Sequence, residues 1–195
     1  MKFDYPEGAT PIDADELADL IPTHITLQKE LNEWEQKNIS DATELYYNKQ
    51  FTIEEILEFS FILEVHKKMF NETWKWAGKT RKTLKTLGVP IERIFEETEY
   101  LLGDTVFWIE NNTYSNNEIG ARFHHRLVQI HLFPNGNGRH SRFVTDLLMK
   151  SIGNELFTWG NKDLYNQSSV RNNYINSLKE ADNNNYKLLL DFVRT

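Results

Sequence analysis

The 195-residue chain contains no cysteine, so neither a disulfide framework nor a thiolate metal site is available to it. It also lacks any apolar run near the roughly 18 residues of a membrane-spanning helix, and no membrane partner is expected. The opening MKFDYPEGATPIDADELADL is acidic and has no apolar stretch of the kind a secretory signal needs, so a cytoplasmic protein is expected. Positive charge is scarce: 22 Lys and Arg stand against 29 Asp and Glu, and the net charge of −7 opposes broad binding of nucleic acid. There is no repeat, low-complexity tract or Pro/Gly/Ser-rich linker. The length suits one domain over residues 1–195, with an N-terminal extension at 1–25.

What is present is amphipathic helix. Thr52 and Glu55 have capping-box spacing and open TIEEILEFSFILEVHKKMF, whose apolar residues recur at three and four. Ser115 and Glu118 repeat the device before Ile119, Phe123, Leu127 and Ile130, which line one face. Phe143, Val144, Leu147 and Leu148 form another stripe, with Gly153 as its stop. A helix is expected after Pro90, another over roughly 26–48, and two more in YINSLKEADNNNYKLLLDFV, joined near Asn183–Asn185. RKTLKTLGVP, 81–90, alternates basic, polar and apolar residues and reads as a short extended hairpin. The expected fold is all-α with one small β flap, and 115–152 is a helix-loop-helix.

Its loop is HLFPNGNGRHSR, 131–142. If a helix starts at Asn137–Arg139, its first N–H groups lie at the positive end of the dipole, and glycines at 136 and 138 let an anion approach. Arg139 and Arg142 can add bidentate contacts to further phosphate oxygens. His131, across the loop, can accept a hydroxyl proton, and the Asn137 amide can donate to the transferred group. Phe133 is expected to tuck into the core and fix the loop. Singly, each has a plainer reading: a helix cap, a turn, solvated arginines. Spacing alone leaves both open. His124, His125, His131 and His140 lack a further ligand in register, so no zinc site is expected. Trp74 and Trp76 read as core.

HLFPNGNGRHSR resembles the HxFx(D/E)GNGRxxR signature of the Fic/Doc family at His131, Phe133, Gly136, Asn137, Gly138, Arg139 and Arg142. FNETWKWAGKTR, 70–81, is similar to the family's segment leading into its flap. RFHHRLVQIH resembles the helix before the motif, and YINSLKEADNNNYKLLLDF the closing helices. From about 26 to 193 the chain looks most like the small bacterial branch called mobile mystery protein B.

The resemblance implies a Fic-type helical bundle and transfer of AMP from ATP to a Ser, Thr or Tyr hydroxyl of a target protein. His131 is then the base, and Asn137 assists catalysis. Phe133, Gly136, Asn137, Gly138, Arg139 and Arg142 make up the nucleotide and phosphate site. Lys82, Thr83, Leu84, Lys85, Thr86, Leu87 and Gly88 form a flap that docks the target by strand-like pairing. A regulatory or antitoxin partner is also implied. Leu132 departs from the usual Pro, which the loop should tolerate. Asn135 stands where an Asp or Glu usually holds Mg²⁺, and a neutral amide is a weaker ligand for it. Thr26 to Glu30 fits most of the family's inhibitory-helix motif, with Leu31 in place of its last residue. Alternatives are a Doc-like phosphotransferase or a catalytically quiet nucleotide- or protein-binding module.

Overall fold

The computed structural model describes residues 14–160 and 168–195, so residues 1–13 of the expected N-terminal extension lie outside it. The described helices are α1 (Ala14–Leu17), α2 (Gln28–Tyr47), α3 (Ile53–Ile56), α4 (Phe59–Phe70), α5 (Ile94–Glu110), α6 (Asn116–Ile130), α7 (Asn137–Ser151), α8 (Ser168–Asp182) and α9 (Lys187–Phe192). A 3₁₀ turn, Ile91–Arg93, follows Pro90 and leads into α5.

The antiparallel pair α6–α7 is the centre. α6 packs against α5 and α9, while α7 meets α2, α3 and α4. The stripe Ile119, Phe123, Leu127 and Ile130 is at most 1% exposed, and Val144, Leu147 and Leu148 of α7 are at most 2% exposed. Each such side chain contributes roughly 1.5–3 kcal/mol through burial. A second core, around Phe157, Tyr174, Leu189 and Phe192, fastens α8 and α9 over Ala121 and Met149. Asn183–Asn185 joins those two helices as expected, with Asn184 at φ 62°.

Two local expectations change. Thr52 and Glu55 do form a reciprocal capping box, but the helix they open stops at Ile56 and restarts at Phe59. The break lets the consecutive residues Ile56 and Leu57 both reach the core, whereas neighbours on one continuous helix point about 100° apart. The second change concerns the flap. No residue of 81–90 is in a strand, and among the described residues the only β contact is an isolated bridge between Leu20 and Trp74. The reason lies in Arg81. Its guanidinium fills the inside of the turn and donates to the Thr83 carbonyl at 3.2 Å and to that of Val89, bonds that a hairpin would make between its own strands. The segment is an irregular loop wrapped around an arginine.

No helix among the described residues is long and apolar enough to cross a membrane. Several buried polar side chains also tie helices together. His140 meets the Ile62 carbonyl at 2.9 Å, His124 the Tyr174 hydroxyl at 2.9 Å, and His125 both Tyr186 and Asp182. Each of these rings has its own partner, and no group of three His, Cys, Asp or Glu that could hold a metal ion occurs among the described residues.

Burial holds the His66, His124 and His140 rings far below the ordinary imidazole range, His140 at about 3. Asp146 is opposite in sense: burial raises its carboxyl to about 7. As pH falls below about 6.5 the unfolded chain protonates its imidazoles while the folded chain cannot, so stability is lost towards pH 3. Asp146 takes up its proton in the folded state first, which adds stability on acidification. Three rings outweigh one carboxyl. The melting temperature should therefore fall steadily from about pH 7 to pH 4; calorimetry across that range showing a flat or rising value would contradict this.

Candidate active site

His131 ends α6 in the left-handed conformation, φ 56° and ψ 60°, with its N–H donating to Leu127. For a residue with a Cβ this backbone costs roughly 1–2 kcal/mol, so its surroundings must hold it. The side chain is only 5% exposed. Burial first, then the positive charges of Arg81 and Lys85, lowers its pKa to about 4. The ring is neutral at physiological pH and able to accept a proton. At that pKa it is a weaker base than its ordinary value suggests.

The loop after it is pinned from within. Phe133 is fully buried and stacks on His66, centroids 3.6 Å apart and planes 11° from parallel. It anchors the loop from the core and does not face an anion. His66 accepts from the Gly78 N–H at 2.9 Å, so its other nitrogen donates to the Asn135 carbonyl at 3.1 Å. The Asn137 side chain was expected to point at a phosphoryl group. Instead its oxygen accepts from the Phe133 N–H at 2.9 Å and its amide donates to the Phe133 carbonyl at 2.8 Å. Asn137 is a brace across the loop.

Gly136 opens α7 at φ 79°, and a Cβ there would come 2.6 Å from the Phe70 ring. Gly138 is different: a Cβ would meet nothing nearer than the Arg142 guanidinium at 3.7 Å. The protein itself does not need a glycine at 138. What its small size leaves is open approach to the first N–H groups of α7, which lie outside the helix's own ladder.

Arg139 and Arg142 both border this opening. Arg139 donates to the Glu35 carboxylate at 2.6 Å and to the Asn135 side-chain oxygen at 3.2 Å. Arg142 lies over the Tyr174 ring, 5.4 Å from its centroid. The Asn135 oxygen also accepts from Gly136 N–H at 2.7 Å. A neutral amide oxygen already taken by two donors, one of them a guanidinium, does not fit a resident Mg²⁺ ligand.

Glu30 turns back on its own helix, accepting from the Thr26 and Leu27 N–H groups at 3.0 Å, and makes no ion pair among the described residues. The α2 carboxylate that reaches the loop is Glu35, which also accepts from Trp74 Nε1 at 2.7 Å. Glu35 is unmarked in the sequence, between the charged residues Glu33 and Lys37, yet it is buried. The available signal was its register: it shares one face with Leu31, Asn38, Ala42 and Tyr46. His66 carried the same kind of signal, a polar residue one turn from Ile62 on the apolar face of α4.

In the flap, Leu84 and Leu87 are exposed at 77% and 57%, and Lys82, Thr83 and Thr86 also face solvent. Lys85 turns inward to Glu16 at 2.8 Å. Gly88 sits at φ 116° against Arg81 and His131, where a Cβ would be 2.9 Å from that of His131. Arg81, which ends FNETWKWAGKTR and carries no role in the sequence expectations, is the inner support of this loop. It donates from Nε to the His131 carbonyl at 2.7 Å, and its N–H pairs with the Leu132 carbonyl at 2.8 Å.

The two motif glycines should therefore separate. Gly136→Ala should lower the melting temperature through the Phe70 clash and the positive φ. Gly138→Ala, in the first turn of α7, should leave the melting temperature equal or slightly higher, since alanine suits a helix better than glycine by at most about 1 kcal/mol, while weakening nucleotide binding. Melting curves and ATP titrations of both variants check this, and a strongly destabilised Gly138→Ala would contradict it.

Residues 56–149, from the end of α3 to the last turns of α7, match the Fic/DOC family. Protein adenylyltransferase fic-1 of Caenorhabditis briggsae is 32% identical over 123 residues, which is 58% of this chain and 24% of that protein. The chain thus spans about a quarter of that relative's length. Among solved structures, the N-terminal Fic domain of a Bartonella quintana Bep effector superposes with a TM-score of 0.71 at 18% identity, over 87% of this chain and 83% of that one. BepC of Bartonella tribocorum, with bound AMPPNP, gives 0.66 at 18% identity over 93% and 96%. The helix order and the glycine-flanked loop agree with that match: residues 56–149, just under half of the chain, carry the Fic/DOC pattern, and the described helices have the fold of solved Fic domains.

Proposed function

We propose that this protein transfers AMP from ATP to a hydroxyl of a target protein. One observation carries the proposal: the neutral, buried imidazole of His131 stands across a braced loop from a helix start bordered by Arg139 and Arg142. The likeness to fic-1, which bears the name adenylyltransferase, and to Bep Fic domains holding ADP and AMPPNP supports the nucleotide as substrate.

In this reading the α-phosphate rests on the N–H groups opening α7, where Gly138 leaves it room. Arg139 and Arg142 take the β- and γ-phosphates, each by a charge-assisted fork. A target segment lies along the flap beside the exposed Leu84 and Leu87. Its Ser, Thr or Tyr oxygen attacks the α-phosphorus as its proton passes to the His131 imidazole. The bond from that phosphorus to the bridging oxygen of the β-phosphate breaks, and pyrophosphate leaves. Asn137 contributes by fixing Phe133 and so the loop. The amide at Asn135 gives no reason to route a step through Mg²⁺; positive charge from the two arginines meets the phosphates. Assignment to the mobile mystery protein B branch, a cytoplasmic location and a regulatory partner rest on the sequence resemblance alone.

Autoinhibition, in this account, comes through Glu35 and not Glu30. An incoming β-phosphate competes with the Glu35 carboxylate for Arg139.

The test is intact-mass spectrometry of the protein, alone and with cell extract, after incubation with ATP. A gain of one adenylyl group that disappears in His131→Ala supports the reading. A gain of one phosphate would move the protein to phosphotransfer, and an adenylyl gain retained in His131→Ala would rule out this base.

A further inference from the structure

Arg81 is 1% exposed, and among the described residues its charge meets no carboxylate. A buried guanidinium without an anion is expensive, so its hydrogen bonds must carry the compensation. They go to three main-chain carbonyls in different directions: His131 through Nε, Thr83 through one terminal nitrogen and Val89 through the other. The main-chain N–H of Arg81 adds Leu132, and Val89 donates back to Ile130 at 3.4 Å. One planar fork therefore grips both ends of the flap and the carbonyl of the residue held in a left-handed backbone. Gly88 completes the contact, because any Cβ there would strike the Arg81 guanidinium at 2.6 Å and the His131 Cβ at 2.9 Å.

We propose that Arg81 is the positioning residue of the site, a clamp that fixes the backbone of His131 and makes flap and base one mechanical unit. This rests on His131 being the base, as argued above. A target docked along the flap is then docked at a set distance from the imidazole, since the same guanidinium defines both. Lysine cannot substitute: an ammonium on a flexible stem cannot satisfy three carbonyls arranged around a plane.

Among the described residues, the groups facing His131 include the Arg81 and Lys85 cations and the Val128 carbonyl, with Glu16 paired to Lys85. In the wild type the His131 ring, identified in NMR spectra by comparison with His131→Ala, should stay neutral down to about pH 4. In Arg81→Lys the flap should detach, water should reach the ring, and its titration should rise towards about 6.5. The adenylyl transfer rate at saturating ATP should fall roughly 100-fold, as expected of a slightly misplaced base, with KM for ATP unchanged. Gly88→Ala, which forces the guanidinium and imidazole apart from the other side, should shift the same two readouts and serves if Arg81→Lys does not fold.

A lower melting temperature with the His131 titration unmoved in both variants would reduce Arg81 to a structural filler and overturn the proposal. The titration requires no turnover. If the wild type transfers nothing, the functional reading fails while the clamp still stands or falls on the NMR result.

Discussion

The stack of Phe133 on His66 is the contact on which the site depends. It sets a short loop between two core helices at a fixed depth, and every group that faces outward from the loop takes its position from there. His66 adds direction through its bonds to the Asn135 carbonyl and the Gly78 N–H. Asn137 closes the loop on itself through both main-chain groups of Phe133. With the loop tied at these points, α7 can begin at Gly136 with its first N–H groups presented outward.

Charge is distributed with the same economy. Burial keeps the histidines at and beneath the loop neutral well below the pH at which an ordinary imidazole gains its proton. The cations are Arg81, Arg139 and Arg142, with Lys85 beside His131, and a guanidinium keeps its charge in almost any surroundings. A neutral base among permanent cations suits a polyanionic substrate, since the arginines attract phosphate while depressing protonation of the ring. A bound phosphate would in turn raise the ring's affinity for a proton, improving the base when substrate is in place.

Much of this was legible in the sequence. The apolar stripes of α6 and α7, the start of α5 after Pro90 and the join at Asn183–Asn185 follow from local periodicity and end signals. So does the loop, because its chemistry is written in consecutive residues. What escaped was long-range. Arg81 is fifty residues from the His131 carbonyl it holds, and Glu35 lies 104 residues from Arg139. No local pattern separates a buried carboxylate such as Glu35 from a solvated one such as Glu33, except the register of the helix face. The flap failed as a hairpin for a related reason: alternation along 81–90 describes the strand candidates but says nothing of an arginine side chain that takes the carbonyls they would share. Asn137 and Glu30 similarly have local partners that no spacing argument ranks above a ligand.

The most direct measurement is a crystal structure with a non-hydrolysable ATP analogue. The α-phosphate should lie on the N–H groups at the start of α7 beside Gly138, with Arg139 turned from Glu35 to the β-phosphate and His131 facing the phosphorus across the loop. A nucleotide bound elsewhere, with the Glu35–Arg139 pair intact, would contradict it.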